Sequence, residues 1–399
     1  MNLSQEMLEL GSKRSVIREL FEYGKRQAAI VGAENVYDYS IGKPTVPAPE
    51  CVKEAILSLL ETEPSDVLHG YTSAQGDLEL RAGLAAYMNA SYPCKLHADD
   101  FYITCGAAAS LAITLKALTA AETDEFIVLA PYFPEYPVFI RNAGARTVVV
   151  PPDMGKFEIP FDLLAAALTP NTKGVIINSP NNPTGIVYPD AVLKELAELL
   201  RRKSAEFGTA IYLISDEPYR EVVYDGITPA YIPAIYENTI VCYSYSKSLS
   251  LTGERIGYIL VPSHVEEARA VYAAVCGAGR ALGYVCAPSL FQKVVLKCLG
   301  ETADISAYDY NRTLLYDALS EMGYDCVKPG GAFYLFVRAL EADAVAFSEK
   351  AKAFNLLLVP ADDFGCPGYV RISYCVQPDM IRRSLPAFRQ LRELYSNEA

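Results

Sequence analysis

Between about residue 100 and residue 262, short β-branched or aliphatic runs alternate with longer helical patterns, and this alternation limits the fold more than any other feature of the chain. It is the signature of a mostly parallel sheet covered by helices. The runs are Phe126–Ala130, Thr147–Val150, Val175–Asn178, Ala210–Ile214, Ile240–Tyr243 and Ile256–Val261. The clearest helix opens at Pro189-Asp190, carries Val192, Leu193, Leu196, Leu199 and Leu200 on one face, and stops at Gly208. Glu195 and Glu198 precede Arg201, Arg202 and Lys203, the charge order that a helix dipole favours.

After Val261 the pattern returns to long helices, and then to Ala332–Val337 and Val370–Tyr374, which read as strands of a separate small sheet. We therefore expect a large domain over residues 51–290 and a smaller carboxy-terminal domain over 291–399, with residues 1–50 packing against the latter.

A chain of 399 residues, 51% hydrophobic, has ample material for such cores. Its net charge of -13 argues against nucleic acid or an anionic membrane as partner and leaves a small-molecule substrate. The ten cysteines contain no C-x-x-C pair, and His69, His97 and His264 are dispersed, so neither a structural metal nor a disulfide scaffold is expected. The amino terminus carries charges throughout, and no segment offers the roughly 18 apolar residues of a membrane span. A cytoplasmic protein is the reading.

In open parallel sheets ligands sit beyond the carboxyl ends of the strands. The residues found there are PYFPEYP after Phe126–Ala130, SPNNPTG after Val175–Asn178, SDEPY after Ala210–Ile214 and SYSKS after Ile240–Tyr243. Each has a plain explanation: prolines and asparagines are ordinary turn residues, Asp216 suits a helix cap, and Lys247 suits a solvated surface. An aromatic, an amide, an acid with a tyrosine, and a lysine between serines on one rim are poorly explained that way as a set. Ser244 and Lys247 also spell the S-x-x-K of penicillin-binding hydrolases, but the K-T-G and S-D-N elements those enzymes need are missing.

Together, SYSKSLSLTGERIG, NSPNNPTG and ISDEPY closely resemble the fold-type I pyridoxal-phosphate aminotransferases of class I/II, the aspartate aminotransferase-like family. The signature S-K-x-x-x-x-x-G-x-R-x-G is met by Ser246, Lys247, Gly253, Arg255 and Gly257, and the likeness runs from IGKPTVPAPE through YTSAQGDLELR to YVRISY. The resemblance implies an α/β fold with a seven-stranded, mostly parallel sheet between helices plus a smaller α+β domain, and pyridoxal 5′-phosphate as cofactor.

On this resemblance Lys247 would hold the cofactor as a Schiff base and later move the substrate Cα proton, since an amine is both nucleophile and base. Asp216 would pair with the pyridine nitrogen, Tyr219 and Asn182 with the phenolic oxygen, and Phe133 would stack on the ring. The phosphate would be met by Ser244, Ser246, Arg255 and the helix-starting turn Gly106, Ala107 and Ala108, whose backbone N–H groups suit an anion. Tyr71 would reach the phosphate of a partner subunit, implying a homodimer. Arg371 would grip the substrate α-carboxylate through a bidentate pair, with Gly42 close by.

The implied reaction moves an amino group between an L-amino acid and a 2-oxo acid. Ala108 stands where one thermophile-type subgroup of aspartate aminotransferases has a lysine for the distal carboxylate, which weakens a dicarboxylate preference. Arg280, the one charge in VYAAVCGAGRALGYVCAPS, is a candidate for that role or an ordinary interface arginine. Tyr132, Tyr136 and Tyr284 leave an aromatic substrate open. A C–S β-lyase on cystathionine or cysteine would reuse Lys247, Asp216 and Arg371. A cofactor-binding regulator finds no support in a basic helix-turn-helix before residue 50.

Overall fold

Seven strands form the main sheet: β1 Phe101–Thr104, β2 Glu125–Leu129, β3 Arg146–Val150, β4 Thr172–Asn178, β5 Tyr212–Asp216, β6 Thr239–Ser244 and β7 Gly257–Leu260. The computed structural model describes residues 3–12 and 16–397; residues 1–2 and 13–15, part of the charged amino terminus, and residues 398–399 lie outside it. The strands lie in the order β1-β7-β6-β5-β4-β2-β3, and only β7 runs antiparallel to its neighbours. The mostly parallel sheet read from the alternation is therefore present, with one reversed strand.

Both faces of the sheet are covered, which is why its central strands read as unbroken apolar runs. Ile127, Ile177 and Leu213 point to the face where the helix Asp190–Phe207 buries Leu193, Leu196 and Leu200. Their neighbours Phe126, Val128, Ile176 and Ile214 point to the other face, onto Leu111, Leu115 and Ile140 of the helices Ala107–Leu118 and Tyr136–Ala143. This is the two-residue period of a pleated strand. Each fully buried leucine contributes about 1.5–3 kcal/mol before chain entropy is counted. Gly208 ends the 190–207 helix in the left-handed region, as its position in the sequence suggests.

β5 begins at Tyr212 and runs on to Asp216, two residues later than the run Ala210–Ile214. The apolar pattern stops at Ile214, but the ladder continues because Ser215 and Asp216 pair with both β4 and β6.

The second sheet has four antiparallel strands in the order Val359–Pro360, Tyr369–Ser373, Tyr334–Arg338 and Cys326–Val327. Phe336 stands opposite Arg371 in its central pair. The helices Ile305–Glu321, Ala344–Lys352 and Pro378–Asn397 enclose this sheet through Leu315, Phe347 and Phe388. The amino-terminal segment joins it: Leu20 of the helix Val16–Val31 packs with Phe336, Val359 and Phe364, and Tyr37–Asp38 pairs with Leu356–Leu357. The helix Ser289–Lys297, by contrast, buries Val294 and Val295 with Val52, Leu59, Leu80 and Leu84 on the large side.

Candidate active site

The carboxyl ends of β4, β5 and β6 and the turn after β2 meet the small sheet around one cavity of about 310 Å³. Of the residues singled out from the sequence, the cavity wall includes Gly42, Ala107, Ala108, Phe133, Asn182, Asp216, Tyr219, Ser244, Ser246, Lys247, Arg255 and Arg371. They come from positions more than 300 apart in sequence, so only the fold brings them together. Gly106 sits directly behind the wall and starts the 107–118 helix.

Lys247 belongs to a short helix, Tyr245–Ser248, that begins as soon as β6 ends; Ser244 caps it by accepting from the Ser246 N–H. Its Nζ donates to the Gly42 carbonyl at 2.8 Å. Removal from water depresses the Lys247 pKa to about 8, and the positive Arg255 and Arg371 push the same way against Cys375. A substantial fraction of the amine is therefore neutral near pH 8.

Asp216 closes β5. Tyr136 donates to its Oδ2 at 2.6 Å, while Oδ1 is buried with no hydrogen-bond partner among the described residues. Burial raises the Asp216 carboxyl to about 7; the Tyr136 hydroxyl opposes this and Glu217 adds to it. Tyr136, read as a rim aromatic, is instead fully buried under the carboxyl: the 136–143 helix turns its hydroxyl inward and its ring into the core. Phe133 remains at the wall, edge-on to Tyr136 with ring centres 5.7 Å apart.

One end of the cavity is built for an oxyanion. Arg255 donates to Ser246 Oγ at 3.0 Å, and the Ser244 and Ser246 hydroxyls lie 2.8 Å apart. Gly106 has a φ of 87°, and a Cβ there would stand 2.6 Å from Arg255 Nη2, so a side chain at this turn would fill the cradle. The first N–H groups of the 107–118 helix open beside these donors.

At the other end Arg371, only 3% exposed, donates from Nη1 to Asn182 Oδ1 at 3.1 Å and from Nη2 to the Ser40 carbonyl at 2.7 Å, while its Nε has no partner among the described residues. The rings of Tyr334 and Phe364 flank its guanidinium, 4.6 and 5.1 Å from the ring centres. Asn182 is itself fixed by Asn178, whose Oδ1 accepts from the Asn182 N–H at 2.7 Å. Tyr219 shares a 2.8 Å hydrogen bond with Tyr334.

Besides Gly106, two predicted residues are not in this wall. Tyr71 is 96% exposed, and Arg280 is exposed near the end of the helix Ala268–Ala281. Conversely, Tyr334, Asn178, Thr252 and Ile17 line the cavity without having been singled out. Asn178 ends its strand one residue before SPNNPTG and was within reach of the same strand-end argument. Ile17 and Tyr334 had no such signal.

The donor set fits pyridoxal 5′-phosphate. A partly neutral amine suits its aldehyde, an unpartnered buried carboxyl oxygen suits its protonated ring nitrogen, and the serine, arginine and helix-start cradle suits its phosphate.

Comparison with known proteins agrees with this chemistry. Residues 33–388 match the family model "Aminotransferase class I and II". The chain is 32% identical over 365 residues to a probable N-acetyl-LL-diaminopimelate aminotransferase of Bacillus subtilis, covering 88% of each chain. It is 31% identical over 358 residues to the aspartate/prephenate aminotransferase of Thermus thermophilus, covering 88% of this chain and 89% of that one. A crystal structure of an aminotransferase from Eubacterium rectale superimposes with a TM-score of 0.97 at 58% identity, covering 99% of both chains. These relatives favour amino transfer over the lyase reaction. With fold, cavity and relatives in agreement, the chain belongs to the class I and II aminotransferases, transaminases that depend on pyridoxal 5′-phosphate.

Proposed function

We propose that this transaminase passes the amino group of an L-amino acid to a 2-oxo acid such as 2-oxoglutarate, with Lys247 as the residue that carries the proton. The supporting observation is one cavity that joins a lysine amine of lowered pKa, a buried carboxyl with an oxygen unpartnered among the described residues and a guanidinium. The cofactor, when bound, supplies a ring that accepts the electron pair of the substrate Cα–H bond.

In this reading Lys247 Nζ would hold the cofactor through its aldehyde, with loss of water, and once freed by the substrate amine would be the base that moves the Cα proton. Asp216 Oδ1 holds the proton of the ring nitrogen. Tyr219 and the Asn182 amide would donate to the phenolic oxygen, and Phe133 would pack against the ring. Ser244, Ser246, Arg255 and the N–H groups at Gly106, Ala107 and Ala108 neutralise the phosphate. Arg371 receives the α-carboxylate beside Asn182, and Gly42 leaves room for it.

The site is completed in a homodimer, with Tyr71 reaching the phosphate of the other subunit. A tyrosine 96% exposed, in a segment that also exposes Val67 and Leu78, fits burial against a second copy. Aspartate, aromatic and alanine-like amino acids are the donor candidates, and Arg280 of the second subunit is the group that would meet a distal carboxylate. Among the described residues no helix is long and apolar enough to cross a membrane, and a cytoplasmic site of action accords with the unpaired cysteines. We place the boundary between the large and small domains after Cys298 rather than at 290, because the 289–297 helix packs in the large core.

The deciding experiment is an amino-donor screen on purified protein with 2-oxoglutarate, pyruvate and oxaloacetate as acceptors. Acceptor-dependent turnover, together with a visible absorbance that borohydride abolishes, is expected. Absence of that absorbance, or acceptor-independent release of pyruvate from cystathionine as the only reaction, would overturn the reading.

A further inference from the structure

Tyr334 begins the second-from-edge strand of the small sheet, and three groups of the cavity meet at its side chain. Its hydroxyl lies 2.8 Å from that of Tyr219. Its ring face carries the Arg371 guanidinium at 4.6 Å. The same hydroxyl presses on Gly42, where a Cβ would stand 2.1 Å from it, and the Gly42 carbonyl accepts from Lys247 Nζ. Tyr334 is 3% exposed and paired opposite Ser373, so its hydroxyl has little freedom to turn to water.

We propose that Tyr334 is a positioning residue of this site: its hydroxyl donates to Tyr219 and so fixes and strengthens the hydrogen bond that Tyr219 gives to the phenolic oxygen of the cofactor. This rests on the role given to Tyr219 above. A phenol has one hydrogen to give. Once Tyr219 directs its own at the cofactor, its 2.8 Å contact with Tyr334 remains a hydrogen bond only with Tyr334 as donor. Burial keeps the Tyr334 phenol protonated, with a pKa raised to about 12 although Arg371 opposes the rise. Donation polarises the Tyr219 O–H, and a chain of two such bonds is stronger than two separate ones. The ring of Tyr334 has a second duty, since it holds Arg371 where an α-carboxylate is received.

The consequence appears in the cofactor's own titration. A stronger donor at the phenolic oxygen draws electron density from it and lowers the proton affinity of the neighbouring nitrogen through which Lys247 is attached. Removing that donor raises the pH at which the visible absorbance changes.

The test is a spectrophotometric pH titration of the holoenzyme in four forms: unaltered, Tyr334→Phe, Tyr219→Phe and the double variant. Phenylalanine keeps the ring, its packing and its face towards Arg371. Tyr219→Phe should raise the midpoint by roughly 1 unit or more and Tyr334→Phe by roughly 0.3–0.7 unit. The double variant should match Tyr219→Phe alone, because the effect of Tyr334 passes through Tyr219. The amino-donor KM of Tyr334→Phe should stay within about twofold, whereas Tyr334→Leu, which removes the ring under Arg371, should raise it about threefold or more. An unmoved midpoint in Tyr334→Phe with a shifted one in Tyr219→Phe overturns the role of Tyr334 and leaves that of Tyr219 standing. Additive shifts in the double variant overturn it too, since Tyr334 would then act independently. If neither single variant moves the midpoint, the role of Tyr219 falls and this proposal with it, while acceptor-dependent turnover would still uphold the transaminase reading.

Discussion

Tyr136 donates its hydroxyl hydrogen to Asp216 Oδ2 across 2.6 Å, from a ring that is 2% exposed beneath the cavity. The carboxyl thus has one satisfied oxygen and one, Oδ1, without a partner among the described residues. In the protein without cofactor its pKa is raised from 3.8 to about 7, so the folded state holds this proton more tightly than the unfolded chain does. As pH rises from about 4 through 7 the folded state therefore loses stability, and the whole penalty is present above 7. Asp216→Asn removes it. Its melting temperature without cofactor should exceed that of the unaltered protein by an amount that grows across this window and is constant above it, an effect of no more than about 4 kcal/mol. The same substitution should lower kcat/KM of the holoenzyme by about 10³-fold, because an amide does not hold the proton of the ring nitrogen. Tyr136→Phe strands Oδ2 of the carboxyl and should cost about tenfold in kcat/KM.

Lys247 is depressed to about 8 from an ordinary 10.5. Only its neutral form attacks an aldehyde, so the rate at which protein stripped of cofactor takes up pyridoxal 5′-phosphate should rise with pH and level off above a midpoint near 8. Stopped-flow absorbance across about pH 6–10 reads this directly. A midpoint near 10 would mean that burial and the two arginines do not act on the amine. Lys247→Ala should lose the borohydride-sensitive absorbance and about 10⁴-fold in turnover.

What the chain revealed before folding follows from where each group lies relative to its strand. Asp216, Asn182, Ser244 and Lys247 all fall within four residues of a strand's carboxyl end, so the order of apolar runs was enough to assemble them. Tyr334 was hidden because a tyrosine inside Ala332–Val337 has the pattern of a core strand residue, and its approach to Tyr219 depends on how the small sheet meets the large one. Tyr136 was misplaced for the converse reason. A tyrosine just past a strand end reads as a rim residue, and only the turn of its helix buries it. The Ser40 carbonyl on Arg371 is a backbone group, which no side-chain pattern records.

Arg371 is held by two protein acceptors and two aromatic faces, so its fork is fixed before any carboxylate arrives. Lysine keeps the charge but offers no planar pair of donors. Arg371→Lys should lower kcat/KM for amino acids by about 100-fold, mostly through KM. The slow reaction of a simple amine lacking an α-carboxylate should be unchanged. Equal losses for both substrates would assign Arg371 to the fold rather than to the carboxylate.

Tyr71 offers the sharpest test of the dimer, because its ring is 96% exposed and lies outside the cavity wall of its own chain. If each site pairs Lys247 of one subunit with Tyr71 of the other, Lys247→Ala and Tyr71→Ala damage the same site from different chains. Pure Lys247→Ala protein should be inactive, and pure Tyr71→Ala protein slow, with weakened retention of the phosphate. Unfolding and refolding the two together in equal amounts should place them randomly, so about half of the dimers are mixed. In a mixed dimer one site carries both defects and the other neither, and the mixture should recover about one quarter of the unaltered activity. Were Tyr71 to serve its own subunit, every site in the mixture would carry one defect and mixing would restore nothing. Activity near the mean of the two pure variants therefore rejects the exchange of Tyr71 between subunits.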